Sequence, residues 1–260
     1  RDSYNTAFGS SSLESNTTGE ANTAAGTNAL SRNTTGDVNT GVGNWSLYQN
    51  TTGDANTAIG QRSLENNTTG SANVALGRRA LNSNTTASAN NAMGYEALKS
   101  NTTGTRNIAI GYRALEGPDT ENDNLAIGYD ALGGAVAGGE SNLAIGNYAL
   151  DELTSGDDNI GIGQGALTAV TVGNRNIAIG KEALKAQTTS HNNVAIGRWA
   201  GDAITTGGDN VVIGNNADLN SATGTNQIVI GSGAVGTANN TVQLGNTSIT
   251  NVKTLSLIHI

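Results

Sequence analysis

The chain has no cysteine, one proline, one phenylalanine and two tryptophans, and aromatic residues make up only 3% of its 260 positions. Without cysteine there is no disulfide framework and no thiol chemistry, and the redox compartment goes unread. So few aromatics exclude a conventional globular core; thin coils packed on small side chains need few large ones. Positive charge is scarce too. Thirteen Lys and Arg stand against 21 Asp and Glu, for a net charge of −8, which excludes the clustered basic surface a nucleic-acid partner requires. No apolar run approaches the ~20 residues that span a bilayer, so membrane attachment is expected only through an anchor domain outside this sequence. The chain opens at Arg1 without a signal-peptide pattern and reads as an internal fragment.

Glycine, by contrast, is abundant, with 36 residues. Counting from Gly9, one recurs at 26, 43, 60, 77, 94, 111, 128, 146, 163, 180, 197, 214, 231 and 245; twelve of the fourteen intervals are 17 residues, one is 18 and one is 14. A fixed short period is the signature of a solenoid, whose coils bury their apolar faces only by stacking. The expected fold is mainly β: a parallel β-solenoid of about 14 coils over residues 1–245, then a connector over 246–254. Residues 255–260, Leu-Ser-Leu-Ile-His-Ile, break the repeat. They resemble a translated sequencing-library adapter and are set aside as a non-native tail, the alternative being an apolar C-terminal strand.

With the marker glycine as position 0, the unit carries Asn at −4, Ala at −2, an aliphatic residue at −1, Ala at +3, Leu at +4 and Asn-Thr-Thr-Gly at +7 to +10. The segment from −4 to −1, such as Asn107-Ile-Ala-Ile110, reads as a short strand closed by glycine. Its alternating side chains put −3 and −1 on one face and −4 and −2 on the other. Both faces are apolar or small, so one fills the coil and the other needs cover from another segment or another chain. Tyr95 to Ser100 and Lys181 to Ala186 are rich in helix formers and predict a single helical turn, with a second short strand as the competing reading. Asn-Thr-Thr-Gly has the turn chemistry to close the coil, because Asn and Gly tolerate positive φ and Thr can hydrogen-bond locally. Stacking predicts a ladder of −4 asparagines and a rod of roughly 67 Å at about 4.8 Å per coil. Position −3 is Thr at 6, 23, 40 and 57 and mainly aliphatic from Val74 onward, which makes the N-terminal end of that face wetter.

The C-terminal stretch from Ile228 to Gly245, with Asn193-Val-Ala-Ile-Gly197 and Asn210-Val-Val-Ile-Gly214, resembles the head repeat of trimeric autotransporter adhesins. The segment from Val242 to Val252 is similar to the one that succeeds such repeats in phage tail fibres. The resemblance covers about residues 5 to 245 and implies a left-handed β-roll associating as a homotrimer. The 17-residue period departs from the 14 usual in that family, and no neck, stalk or anchor is present.

Chemistry in the coils is sparse. Gly231 to Gly236 fits G-x-G-x-x-G, yet no strand–helix–strand unit surrounds it, and no cofactor is expected. A Ser-His-Asp triad would rest on His191 alone, which reads as a solvated turn residue. Asp119, Glu121 and Asp123, and again Asp151, Glu152, Asp157 and Asp158, read as solvated turns, with a structural calcium as the alternative. Six sequons at Asn16, Asn33, Asn50, Asn67, Asn84 and Asn101 are glycan acceptors in a eukaryotic secretory route and turns otherwise. Tyr95, Tyr112 and Tyr129 fall at +1 in successive units and predict an aromatic ridge beside Arg113 and Glu96, a candidate contact surface. The expectation is therefore not an enzyme but a segment of an extracellular fibre, on a bacterial cell surface or a phage virion. Its partners would be copies of itself and a host-cell surface protein, matrix or glycan. An ice-binding solenoid using the repeated Thr, or a plain structural spacer, are the alternatives.

Overall fold

The computed structural model describes residues 3–117, 120–134, 139–249 and 251. Pro118, Asp119, residues 135–138, His259, the 255–260 tail and the connector at 250 and beyond 251 lie outside them. Fifteen three-residue strands form one parallel sheet in strict sequence order. They are β1 (Thr6–Phe8), β2 (Thr23–Ala25), β3 (Thr40–Val42), β4 (Thr57–Ile59), β5 (Val74–Leu76), β6 (Asn91–Met93), β7 (Ile108–Ile110) and β8 (Leu125–Ile127). Next come β9 (Leu143–Ile145), β10 (Ile160–Ile162), β11 (Ile177–Ile179), β12 (Val194–Ile196), β13 (Val211–Ile213), β14 (Ile228–Ile230) and β15 (Val242–Leu244). Each residue pairs with its counterpart one coil on, as in Ile177↔Val194. The 18-residue interval leaves the register intact at Leu125↔Leu143, and the 14-residue interval leaves it intact at Ile228↔Val242. The fold is thus the expected parallel β-solenoid.

Its core is one column of small residues beside one of leucines. The −2 alanines from Ala24 onward, such as Ala58 and Ala109, the +3 alanines and the +4 leucines from Leu30 to Leu184 are fully buried or nearly so. A coil lined this way has no room for aromatics. Each buried Leu contributes about 1.5–3 kcal/mol, repeated coil after coil.

The expected helical turn is absent: among the described residues there is no helix. The +1 to +6 stretch is a turn in which +2 and +4 take left-handed backbone, as at Glu96 (φ 56) and Leu98 (φ 50). Left-handed residues turn their amides along the rod axis. The Glu96 N–H donates to the Arg78 carbonyl at 3.0 Å, and the Leu98 N–H to the Ala114 carbonyl at 3.0 Å. A helical turn would spend the same groups within its own coil, leaving neighbouring coils unjoined along this stretch. Left-handed geometry costs about 1 kcal/mol at a non-glycine residue, offset here by the inter-coil bonds and by leucine burial.

The polar turn closes the coil as expected, without using the glycines' tolerance of positive φ. They are required by space, since a Cβ on Gly36 would stand 2.5 Å from the Gly53 carbonyl oxygen and 2.6 Å from Asn33 Oδ1.

Candidate functional site

Three kinds of surface run along the rod, and three ladders of polar side chains fix them. The −4 asparagines form the first. Asn56 Oδ1 accepts the backbone N–H of Asn73 at 3.0 Å, and Asn56 Nδ2 donates to the Gly70 carbonyl at 2.8 Å. The second was not foreseen: the +7 asparagines are buried as well. Asn67 Nδ2 donates to Asn50 Oδ1 at 2.8 Å and to the same Gly70 carbonyl at 2.9 Å. Asn33, Asn50, Asn67, Asn84 and Asn101 are completely enclosed, so the sequon amides have no access to a glycosyl donor in the folded rod. Asn16 in the first coil is half-buried.

The third ladder occupies +11. Asp37 Oδ1 accepts the Glu20 N–H at 2.7 Å and Asp157 Oδ1 accepts the Glu140 N–H at 2.9 Å. His191 is another rung, its Nδ1 accepting the Asn174 N–H at 2.9 Å. The recurrence of Asp, Ser, Asn or His at this offset was the available signal: all four have a side-chain acceptor within two bonds of Cβ. Among the described residues no group of three or more His, Asp or Glu side chains comes together as a metal cluster.

Asp151 is the exception among the acidic residues. Its Oδ1 is buried without a hydrogen-bond partner among the described residues, and burial, reinforced by the Glu152 charge, pushes its carboxyl up to about 6. A carboxyl raised above its ordinary value of 3.8 adds most stability when protonated, and that contribution fades as pH rises through the folded value. Asp151→Asn is therefore expected to stabilise the rod at pH 7.5 by on the order of 1 kcal/mol after solvent screening of a half-buried group, read as a higher thermal midpoint. The advantage should shrink towards zero by pH 4.5. Melts of both proteins across that range check it, and a pH-independent difference contradicts it.

The first surface is the outward face of the sheet, carrying positions −3 and −1. No charged residue occurs at either position in any strand. From β4 onward large apolar side chains stand partly open to solvent, including Ile59 at 43%, Met93 at 49%, Ile110 at 38% and Ile196 at 38%. The four leading coils carry Thr6, Thr23, Thr40 and Thr57 on the same face, half-buried to exposed.

The second surface is the tyrosine ridge. Tyr95, Tyr112 and Tyr129 stack as expected, with centroids 5.1 Å apart at both steps and interplanar angles of 10° and 4°. Tyr148 joins edge-on at 5.3 Å. Arg78 caps the ridge, its guanidinium 5.5 Å from the Tyr95 centroid and donating to the Tyr95 hydroxyl at 3.0 Å. Because the stacked rings face one another, solvent meets their edges and hydroxyls rather than the open faces a sugar ring would stack on. Arg113 is placed beside the ridge but is not a free charge: it pairs with the Glu116 carboxylate and lies 3.8 Å from Asp130. The Glu116 bond pushes the guanidinium pKa further up. Burial works against a charge on Glu96, yet hydrogen bonds from Lys99 and Arg79 outweigh it and hold that carboxyl below its ordinary value.

The third surface is the turn side, where the second threonine of each Asn-Thr-Thr unit lies exposed: Thr18, Thr35, Thr52, Thr69, Thr86 and Thr103. In the first five of these units the preceding threonine is tied down, as where Thr34 Oγ1 donates to the Thr51 carbonyl at 2.9 Å.

Compared with known protein families and with curated proteins, the chain matches none. The class that fold and surfaces define is a β-solenoid repeat protein.

Proposed function

We propose that this solenoid is a segment of an elongated extracellular fibre, on a bacterial surface or a virion, whose copies associate side by side as a homotrimer and attach by multivalent contacts. The observation that carries the reading is the charge-free, apolar outward sheet face. A charge-free strip roughly 67 Å long, mainly aliphatic over about 48 Å of it from β5 to β15, and about 10 Å wide offers on the order of 700 Å² per copy, close to the ~800 Å² per partner of stable interfaces. Isolated large patches of that kind are rare on monomers. Once the sheet faces are covered, the tyrosine ridge and the turn side remain outward on every copy, at matching heights. Weak contacts repeated on joined copies gain avidity without a deep pocket.

Binding of the labelled protein to glycan arrays and immobilised matrix proteins tests it. The wild-type chain should dissociate slowly. Ile110→Glu with Ile179→Glu, which places charges on the sheet face, should give a monomer with dissociation at least tenfold faster. Replacing Tyr95, Tyr112 and Tyr129 together by Ala should abolish binding while leaving the assembly intact. No binding to any of these probes, or equal binding by all variants, contradicts the proposal.

A second reading, ice binding, is favoured by one observation: the exposed rank of threonines on the turn side recurs in six successive coils, about 4.8 Å apart. Thermal hysteresis with ice shaping would establish it in place of attachment, and Thr52→Val with Thr69→Val shows whether that rank carries it.

A further inference from the structure

We infer that Asn91 fixes the direction and register in which copies of the chain lie against one another across the sheet face; this rests on the self-association proposed above. From β5 to β15 every outward position is aliphatic or Met, with the single exception of Asn91. Asn91 is exposed on β6 between Val74 and Ile108 in the neighbouring coils. Its backbone N–H is used in the sheet, donating to the Asn107 carbonyl at 2.8 Å, while its side-chain amide has no hydrogen-bond partner among the described residues. The short side chain leaves a shallow depression lined by Val74, Ala92, Met93, Ile108 and Ile110.

An apolar ridge of identical coils is indifferent to sliding. Moving one copy by a coil replaces Ile on Ile with Ile on Ile, so register is weakly specified by the ridge itself. A lone amide changes this. Buried opposite aliphatic side chains it loses its hydrogen bonds to water and regains none, whereas opposite another Asn it is satisfied. A single Asn in an otherwise apolar seam selects strand direction and register in helical assemblies by the same means. Parallel copies in register, related by an axis along the rod, bring Asn91 of each against Asn91 of the others. With fully overlapped antiparallel copies, the sixth coil meets the tenth and Asn91 lies against Ile160 and Ile162 of β10. The leading threonines point the same way. Parallel alignment places Thr6, Thr23, Thr40 and Thr57 on their own counterparts, and antiparallel alignment places them on the aliphatic outward positions of β12 to β15.

The absence of native cysteine allows a direct test. Ser10→Cys puts one exposed labelling site at the N-terminal end of the rod, away from the sheet face. Spin-label distances measured on the assembled full chain should give a single short population, because parallel copies bring the labels together. Asn91→Ile, a side chain that many other outward positions already carry, should keep the assembled mass yet spread the labels over several distances, leaving the short one a minority. Asn91→Gln should restore part of the short population. An Asn91→Ile assembly with the same narrow short distance overturns the inference alone. A wild-type chain that is monomeric overturns the self-association it rests on, and the inference with it.

Discussion

Gly60→Ala is expected to destabilise the rod by on the order of 3–5 kcal/mol, read as a fall in the thermal midpoint followed by circular dichroism. Two costs combine. Gly60 holds φ +139, a backbone region that side-chain-bearing residues rarely adopt, and a Cβ there would lie 2.5 Å from the Gly77 carbonyl oxygen and 2.6 Å from its carbon. Neither cost can be relieved locally, because the obstructing atoms are backbone in the next coil. Solenoid stability is a sum of coil and nearest-neighbour terms, so the damage falls on the stack between β4 and β5. Ser10→Ala, exposed at +1 of the first coil, serves as the control and should melt with the wild type. A Gly60→Ala protein that does the same contradicts this account of the marker glycine.

The second large effect separates the two buried asparagine ladders. Asn56→Leu is expected to cost about 3 kcal/mol and Asn67→Leu about 1 kcal/mol, although both residues are equally buried. The difference lies in what each side chain satisfies. Asn56 Oδ1 is the acceptor for a backbone N–H, that of Asn73, and leucine leaves this donor orphaned inside the rod. Asn67 serves only other side-chain amides and shares the Gly70 carbonyl with Asn56. Loss of Asn67 therefore leaves that carbonyl with a partner. The chain carries its own precedent, since +7 becomes Leu153, Val170 and Ile204 in later coils, all fully buried, while −4 remains Asn from 5 to 210. Paired denaturant melts would contradict the account if the two variants proved equally destabilised.

This contrast shows what sequence alone could carry. Period, strand position and the −4 ladder were legible because each rests on a single residue type at one offset: Gly, a small or aliphatic triplet, and Asn. The tyrosine ridge was legible for the same reason, since rings at one offset in successive coils have to meet at the coil spacing. The Ala-Leu segment misled because helix propensity is a weak local preference, and here stacking overrides it. Leu98 and Glu96 take left-handed backbone so that their amides reach neighbouring coils, a demand that no single unit displays. The +7 asparagines were read as turn formers because Asn-Thr-Thr-Gly has strong turn chemistry, which masked their burial. The +11 acceptors were hidden by their variety, as Asp, Ser, Asn and His look unrelated until the shared acceptor is recognised. Arg113 was placed correctly beside the ridge, but Glu116, its partner three residues on, changes it from a free cation into a paired one.

Side-by-side association through the outward sheet face underlies the proposed attachment and the role assigned to Asn91. Sedimentation equilibrium of the purified chain at micromolar concentration tests it most directly. The account predicts a single species close to three times the 26.2 kDa chain mass, reduced to one chain by Ile110→Glu with Ile179→Glu. A wild-type protein that sediments as one chain, with its apolar face open to water, would contradict it.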